Sequence, residues 1–181
     1  MRTVGIFYDG SVYTRRWLWT LLWAKDEIKK LGYKIEFVVF SQKLSDRDAR
    51  RLENGTFETV LIAQHAGFRK LPIQQKSKFL KYVKQYCRNL IWLDTSDSTG
   101  TCNFEVLPYV DKYLKKQLAN DLSVYKQPLY GGRLHSDYFH RKFGVLDPDV
   151  EKDIMAPLDD RSIDKIGLSW NVGIGNIESH G

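Results

Sequence analysis

The chain has 181 residues, 43% hydrophobic and 28% charged, a balance that supports one folded domain and excludes a disordered chain. A net charge of +6 favours acidic partners: phosphorylated compounds, anionic lipid surfaces or nucleic acid. Two cysteines, Cys87 and Cys102, with no CxxC, and four scattered histidines exclude a Cys/His metal cage and a disulfide framework.

Thr3-Val4-Gly5-Ile6-Phe7-Tyr8 reads as a buried strand, closed by the turn signal Asp9-Gly10-Ser11. Tyr13 to Leu31 predicts a long helix, with Trp17, Leu21, Ala24, Ile28 and Leu31 at helical spacing and Trp19 off that stripe. Ser11 is its expected N-cap and Gly32 its C′ residue. Lys34 to Phe40 is a second strand. Ser45 and Asp46 open a short helix that Asn54-Gly55 stops. Thr59 to Ala63 is a third strand, Ile73 to Arg88 a helix, and Leu90 to Asp94 a fourth strand. This alternation is the signature of βαβ units and a parallel sheet.

Beyond Asp94 the pattern loosens. Phe104, Leu107, Leu114 and Leu118 fit a helix from about Pro108 or a strand over Tyr109 to Leu114, and periodicity does not choose. Tyr125 to Gly132 is a loop, Asp137 to Phe143 a helix, and 147 to 162 a surface crossing. Lys165 to Trp170 is a last strand. Residues 171 to 181 are a Gly-rich tail or the start of a linker. The expected fold is α/β: a single Rossmann-like three-layer sandwich over residues 1 to 170, with a mostly parallel twisted sheet.

In such sheets ligands bind outside the carboxyl ends of the strands. Two turns qualify. Asp9-Gly10-Ser11 precedes a helix N-terminus, whose free N–H groups attract anions, with Tyr13, Arg15 and Arg16 close behind. It lacks the GxGxxG of a dinucleotide site. The second turn, Asp94-Thr95-Ser96-Asp97-Ser98-Thr99-Gly100, combines two acids with hydroxyls. Such acids serve proton transfer or hold sugar hydroxyls, and such loops cradle phosphate; they also cap turns for purely structural reasons. Arg133, followed by Asp137 and Tyr138, and Lys115 with its neighbouring lysines form a basic and aromatic second cluster that suits an anionic ligand. Exposed Trp beside Lys and Arg on the first helix suits an anionic membrane surface.

Four segments together resemble the N-terminal half of a GT-B-type glycosyltransferase from polysaccharide biosynthesis. They are Phe7 to Tyr13, Trp92 to Gly100, Val106 to Leu118, and Tyr130-Gly131-Gly132-Arg133 with Asp137-Tyr138. The resemblance implies two Rossmann-like domains facing across a cleft, the N-terminal one holding the acceptor and the other the nucleotide-sugar donor. It implies that Tyr109 to Lys116 is a strand. A two-domain enzyme of this kind needs about 330 to 400 residues, so this chain alone is expected to be inactive, to bind no cofactor by itself, and to need a donor-binding domain or partner chain.

Under that resemblance Asp94 and Asp97 are the catalytic acids, contacting acceptor hydroxyls or acting as base. Asp9, Gly10, Ser11, Tyr13, Arg16, Ser98, Thr99, Gly100, Lys115, Arg133 and Tyr138 bind a saccharide or a phosphorylated or lipid-linked acceptor, and no metal is called for. The competing expectation is a non-catalytic module that binds a nucleotide or phosphosugar. No RRM, KH or zinc-finger pattern is present, so no specific nucleic acid is expected. Cysteine usage and the lack of a signal peptide point to a cytoplasmic protein, with a peripheral place at the inner membrane face as an option.

Overall fold

A computed structural model describes residues 1–40, 42–64, 67–96, 99–148 and 155–170. One six-stranded, all-parallel sheet runs through it in the order β2-β1-β3-β4-β5-β6. The strands are β1 (Arg2–Tyr8), β2 (Tyr33–Val39), β3 (Thr59–Gln64), β4 (Asn89–Asp94), β5 (Lys112–Lys115) and β6 (Ile166–Leu168). The helices are α1 (Val12–Trp23), α2 (Lys25–Lys30), α3 (Asp46–Glu53), α4 (Ile73–Tyr86), α5 (Leu134–Phe143) and α6 (Asp160–Ile163). The fold is the expected Rossmann-like α/β sandwich.

The strand order puts helices on both faces, because right-handed crossovers running in opposite directions along a sheet land on opposite sides. α1 connects β1 to its neighbour β2, while α3 and α4 lead the chain back through β3 to β4. The larger core lies on the α3/α4 side, where Phe7, Phe40, Phe57, Phe68, Trp92, Tyr113 and Tyr125 pack with Leu52, Leu80 and Val83. On the other side Trp17 and Leu18 of α1 cover Ile6, Ala63 and Leu93.

The long helix expected over residues 13 to 31 is two segments meeting at Ala24, although Ala24 N still donates to Thr20 O and Ala24 O accepts from Ile28 N. Ser11 caps α1 through a 3.2 Å bond from Thr14 N. Phe104 to Tyr109 forms a 3₁₀ turn, and β5 follows as a strand. The ambiguity resolves because Tyr113 and Lys115 are buried on one face while Leu114 lies on the other, a period of two. α5 begins three residues before the expected Asp137. Among the described residues, no helix is long and apolar enough to cross a membrane.

Trp170, just past β6, stacks on Trp17 with ring centroids 4.6 Å apart and planes 14° apart. Each indole N–H donates to the other residue's carbonyl, at 3.1 and 2.8 Å. This clasp joins the end of the sheet to the first helix. Trp17 is 2% exposed, so Trp17→Ala is expected to cost about 3–5 kcal/mol. In a thermal melt that is a fall in Tm of roughly 6–20 °C.

Candidate functional site at the carboxyl rim of the sheet

β1, β3, β4 and β5 end nearly level. Tyr8 is in register with Ala63, Gln64 with Asp94, and Asp94 with Lys115. The chain leaves β1 toward β2 on one side, while β3 and all later strands lie on the other, so the switch point falls between β1 and β3. The two turns expected to carry function therefore leave the same edge of the sheet, with only β3 between them.

The first turn is built by its own polar groups. Asp9 Oδ1 accepts from Ser11 N at 3.0 Å, and Ser11 Oγ reaches Thr14 N and Oγ1. Gly10 has φ of +71°, a left-handed conformation that favours glycine, and a Cβ there would crowd Val39 Cγ1 at 3.0 Å. No acid sits in the first turn of α1, and Tyr13, Arg15 and Arg16 are exposed beside it.

The second turn is tied down from beneath. Asp94 is 1% exposed and Lys115 is 0% exposed. Asp94 Oδ1 accepts from Ser96 N at 2.8 Å and Asn103 Nδ2 at 3.5 Å; Oδ2 accepts from Tyr113 OH and, at 3.4 Å, from Lys115 Nζ. Lys115 Nζ also donates to Thr101 O at 2.8 Å and Ser96 O at 3.1 Å. Those carbonyl bonds are shorter than its bond to the acid, so the ammonium works mainly as a tie between loop carbonyls. Tyr113 OH accepts from Asn103 N at 2.9 Å. Tyr125 OH donates to Thr99 O at 2.6 Å and accepts from Ala119 N at 3.1 Å.

Both oxygens of Asp94, expected to act as acid, base or hydroxyl contact, are buried and engaged in hydrogen bonds, and the charge of Lys115, expected to attract an anion, is enclosed beneath the loop. Asp97 and Ser98, the other acid and hydroxyl of this turn, lie outside the described residues. Thr99 is half-buried, and Gly100 is where α5 closes in: a Cβ on it would lie 2.4 Å from Leu134 N and 2.8 Å from Arg133 Cα. Only glycine permits that approach. Through it the backbone of Arg133 returns to the rim.

Arg133 and Tyr138 are not brought together. Arg133 lines a groove of about 330 Å³ with Tyr130, His135 and Ser136. Tyr138 lines another, of about 470 Å³, with Gln127, Arg141 and Lys142. Of the residues expected to bind, the two turns at the rim hold Asp9, Gly10, Ser11, Thr99 and Gly100, and Tyr13 and Arg16 are exposed on the helix that follows the first turn. Reading the sequence missed Tyr113, Asn103 and Tyr125. The available signal was Tyr113-x-Lys115, two polar side chains at the same-face spacing of a strand that pairs directly with Asp94. Among the described residues, Gln64 Oε1 and Ser96 Oγ are buried without a hydrogen-bond partner.

Among the described residues no group of three or more His, Cys, Asp or Glu is placed to hold a metal ion. Comparison with protein-family models, with curated proteins and with solved structures finds no match to this chain.

Burial, reinforced by the Asp94 charge, raises the Tyr113 phenol well above its ordinary value, and burial pushes Tyr125 up to about 12. Burial also lifts the Cys87 thiol to about 11, which leaves it unreactive.

Two predictions follow from this geometry. In Asp94→Asn, the new amide N–H groups face Tyr113 OH and Lys115 Nζ, and the ammonium loses its counter-charge. The expected cost is about 3–5 kcal/mol, read as a lower urea midpoint. The second concerns alkaline pH. The folded state holds the tyrosine protons more tightly than the unfolded chain, whose phenols titrate near about 10. The tyrosine contribution to stability is therefore complete below pH of about 10 and declines as pH rises through about 10 to 12, following a smaller loss from the raised Cys87 thiol that starts near pH of about 9. Urea midpoints at rising pH should show this, with a shallower decline in Tyr125→Phe.

Proposed function

We propose that this chain is the acceptor-side domain of a GT-B-type glycosyltransferase, and that it binds a sugar or a phosphorylated or lipid-linked acceptor at the carboxyl rim of its sheet. One observation carries the reading. Two polar turns leave the same edge of an all-parallel sheet beside its switch point, and one opens a twelve-residue helix with no acid in its first turn. Backbone N–H groups at such a helix start, with Arg15 and Arg16 exposed beside them, suit a phosphate or a developing negative charge. Asp9, Ser11 and Thr99 add oxygen partners for sugar hydroxyls. The buried network under the second turn supports the reading by holding the rim rigid, which is what an orienting site requires.

With Asp94 enclosed, acid–base work in this reading falls to Asp97. The nucleotide-sugar donor belongs to a second domain or partner chain, and glycosyl transfer is the reaction of that assembly. The enclosure of Asp94 also favours a second reading, a non-catalytic Rossmann-like module that holds a nucleotide or phosphosugar.

Calorimetry and thermal shift on this chain separate the two. Under the acceptor reading oligosaccharides should raise the Tm, and Arg16→Ala should weaken binding of a phosphorylated oligosaccharide about tenfold or more, the worth of one charge-assisted contact. Arg16 is exposed, so its variant should melt as the parent does. Stabilisation by nucleotides alone selects the module, and no response to either class removes the rim as a site.

A further inference from the structure

β2 ends the sheet, and among the described residues no strand pairs with it except β1. Its ladder to β1 runs from Arg2 N donating to Gly32 O up to Phe40 N donating to Tyr8 O. In a parallel pair each bonded residue spans the two neighbours of its partner. Gly32, Lys34, Glu36, Val38 and Phe40 therefore turn their backbone groups to β1. The N–H and C=O groups of Tyr33, Ile35, Phe37 and Val39 point the other way, out of the sheet. Such an edge accepts another strand unless proline, a bulge or a covering segment blocks it. β2 is seven residues long with no proline or glycine, and it keeps register with β1 throughout.

The side chains carry a second, independent observation. Lys34 and Glu36 share one face of β2 and stand on either side of Ile35. A strand with one cation and one anion placed symmetrically about a residue is its own complement when turned end for end. The other face is apolar: Ile35 and Phe37 pack in part against the cluster under α1, and Val39 is 58% exposed. Leu31, just ahead of the strand, is 72% exposed.

We propose that the free edge of β2 pairs antiparallel with β2 of a second copy of this chain, about a two-fold axis at Ile35. Ile35 then faces Ile35 of the other copy, Tyr33 faces Phe37, and Val39 runs toward the exposed Leu31. Lys34 faces Glu36 in both directions, in the closer, non-hydrogen-bonded pairs of the ladder. Moving the axis to Lys34 or Glu36 sets like charges face to face. Moving it to Phe37 sets Lys34 against Phe40 and Glu36 against Val38. Within one chain Lys34 Nζ lies 2.7 Å from Glu36 Oε1, and Arg51 pairs with Glu36 and, at 3.6 Å, with Asp48. The second copy turns the Lys34–Glu36 pair into a ring of four charges of alternating sign. α2 brings exposed Lys25, Asp26 and Lys29 beside Lys34 and Ile35, a mixed set that leaves the register to the strand charges. The contact is isologous and closed. It joins two six-stranded sheets into one and does not rest on the acceptor reading.

Sedimentation velocity on the full chain over a concentration series should show a monomer–dimer equilibrium. Lys34→Glu sets acid against acid across the axis and Glu36→Lys sets cation against cation, so each alone should weaken the dimer about tenfold or more. An equal mixture of the two variants should restore it, because an acidic strand then faces a basic one. The Lys34 side chain is 53% exposed, so Lys34→Glu should melt as the parent does. Glu36→Lys loses the Arg51 pair; if it melts early, a cross-link decides. Position 35 faces itself across the axis, so Ile35→Cys should form a disulfide-linked dimer under mild oxidation, while the parent, with Cys87 and Cys102 alone, should not. A parent that stays monomeric at every concentration overturns the proposal. So does a dimer that Lys34→Glu leaves intact, or one in which Ile35→Cys forms no cross-link, since either places the contact elsewhere.

Discussion

The arrangement of this molecule depends on how a carboxylate and an ammonium can both be enclosed in a protein interior. Asp94 and Lys115 end neighbouring parallel strands and project to the same face. Their attraction alone does not offset the loss of hydration. The remaining capacity of each must be filled, and the nearest available groups are those of the chain between them. Ser96 N, Asn103 Nδ2 and the Tyr113 hydroxyl complete the acid; the carbonyls of Ser96 and Thr101 complete the amine. The loop between β4 and β5 is therefore drawn down over the pair. A buried charge pair here sets the course of a loop.

That course decides what lies next to it. With the loop held down, Gly100 reaches a place where a side chain would collide with the backbone of Arg133 and Leu134. The start of α5 is therefore set against the same loop, and the second tyrosine, Tyr125, fastens Thr99 from below. Rim and α5 are linked mechanically, though they present different chemistry. The rim shows hydroxyls, a helix N-terminus and exposed arginines. The outer face of α5 shows aromatic rings and a lysine.

The sandwich has unequal halves. One face of the sheet carries most of the large aromatic side chains. The other has a small cluster under α1, and Ile35, Phe37, Leu61, Ile91 and Leu114 are only partly covered there. The reciprocal tryptophan clasp lies on that thinner side and ties residue 170 to residue 17, two points far apart in the chain.

The sequence by itself determined the succession of strands and helices as far as Asp94, the N-caps at Ser11 and Ser45, and the two turns at the strand ends. Each follows from local rules: side-chain period, capping chemistry and the tolerance of glycine for unusual backbone. Only the tertiary structure decided that Asp94 and Lys115 face each other inside the protein, that Tyr113 and Tyr125 hold the loop above them, and that the start of α5 closes on Gly100. Sequence spacing shows which residues share a face of one element, but burial and partnership depend on what the neighbouring elements bring. An acid at a strand end reads the same whether a lysine twenty-one residues later covers it or a ligand does. What separates the two is the strand pairing that sets Asp94 beside Lys115.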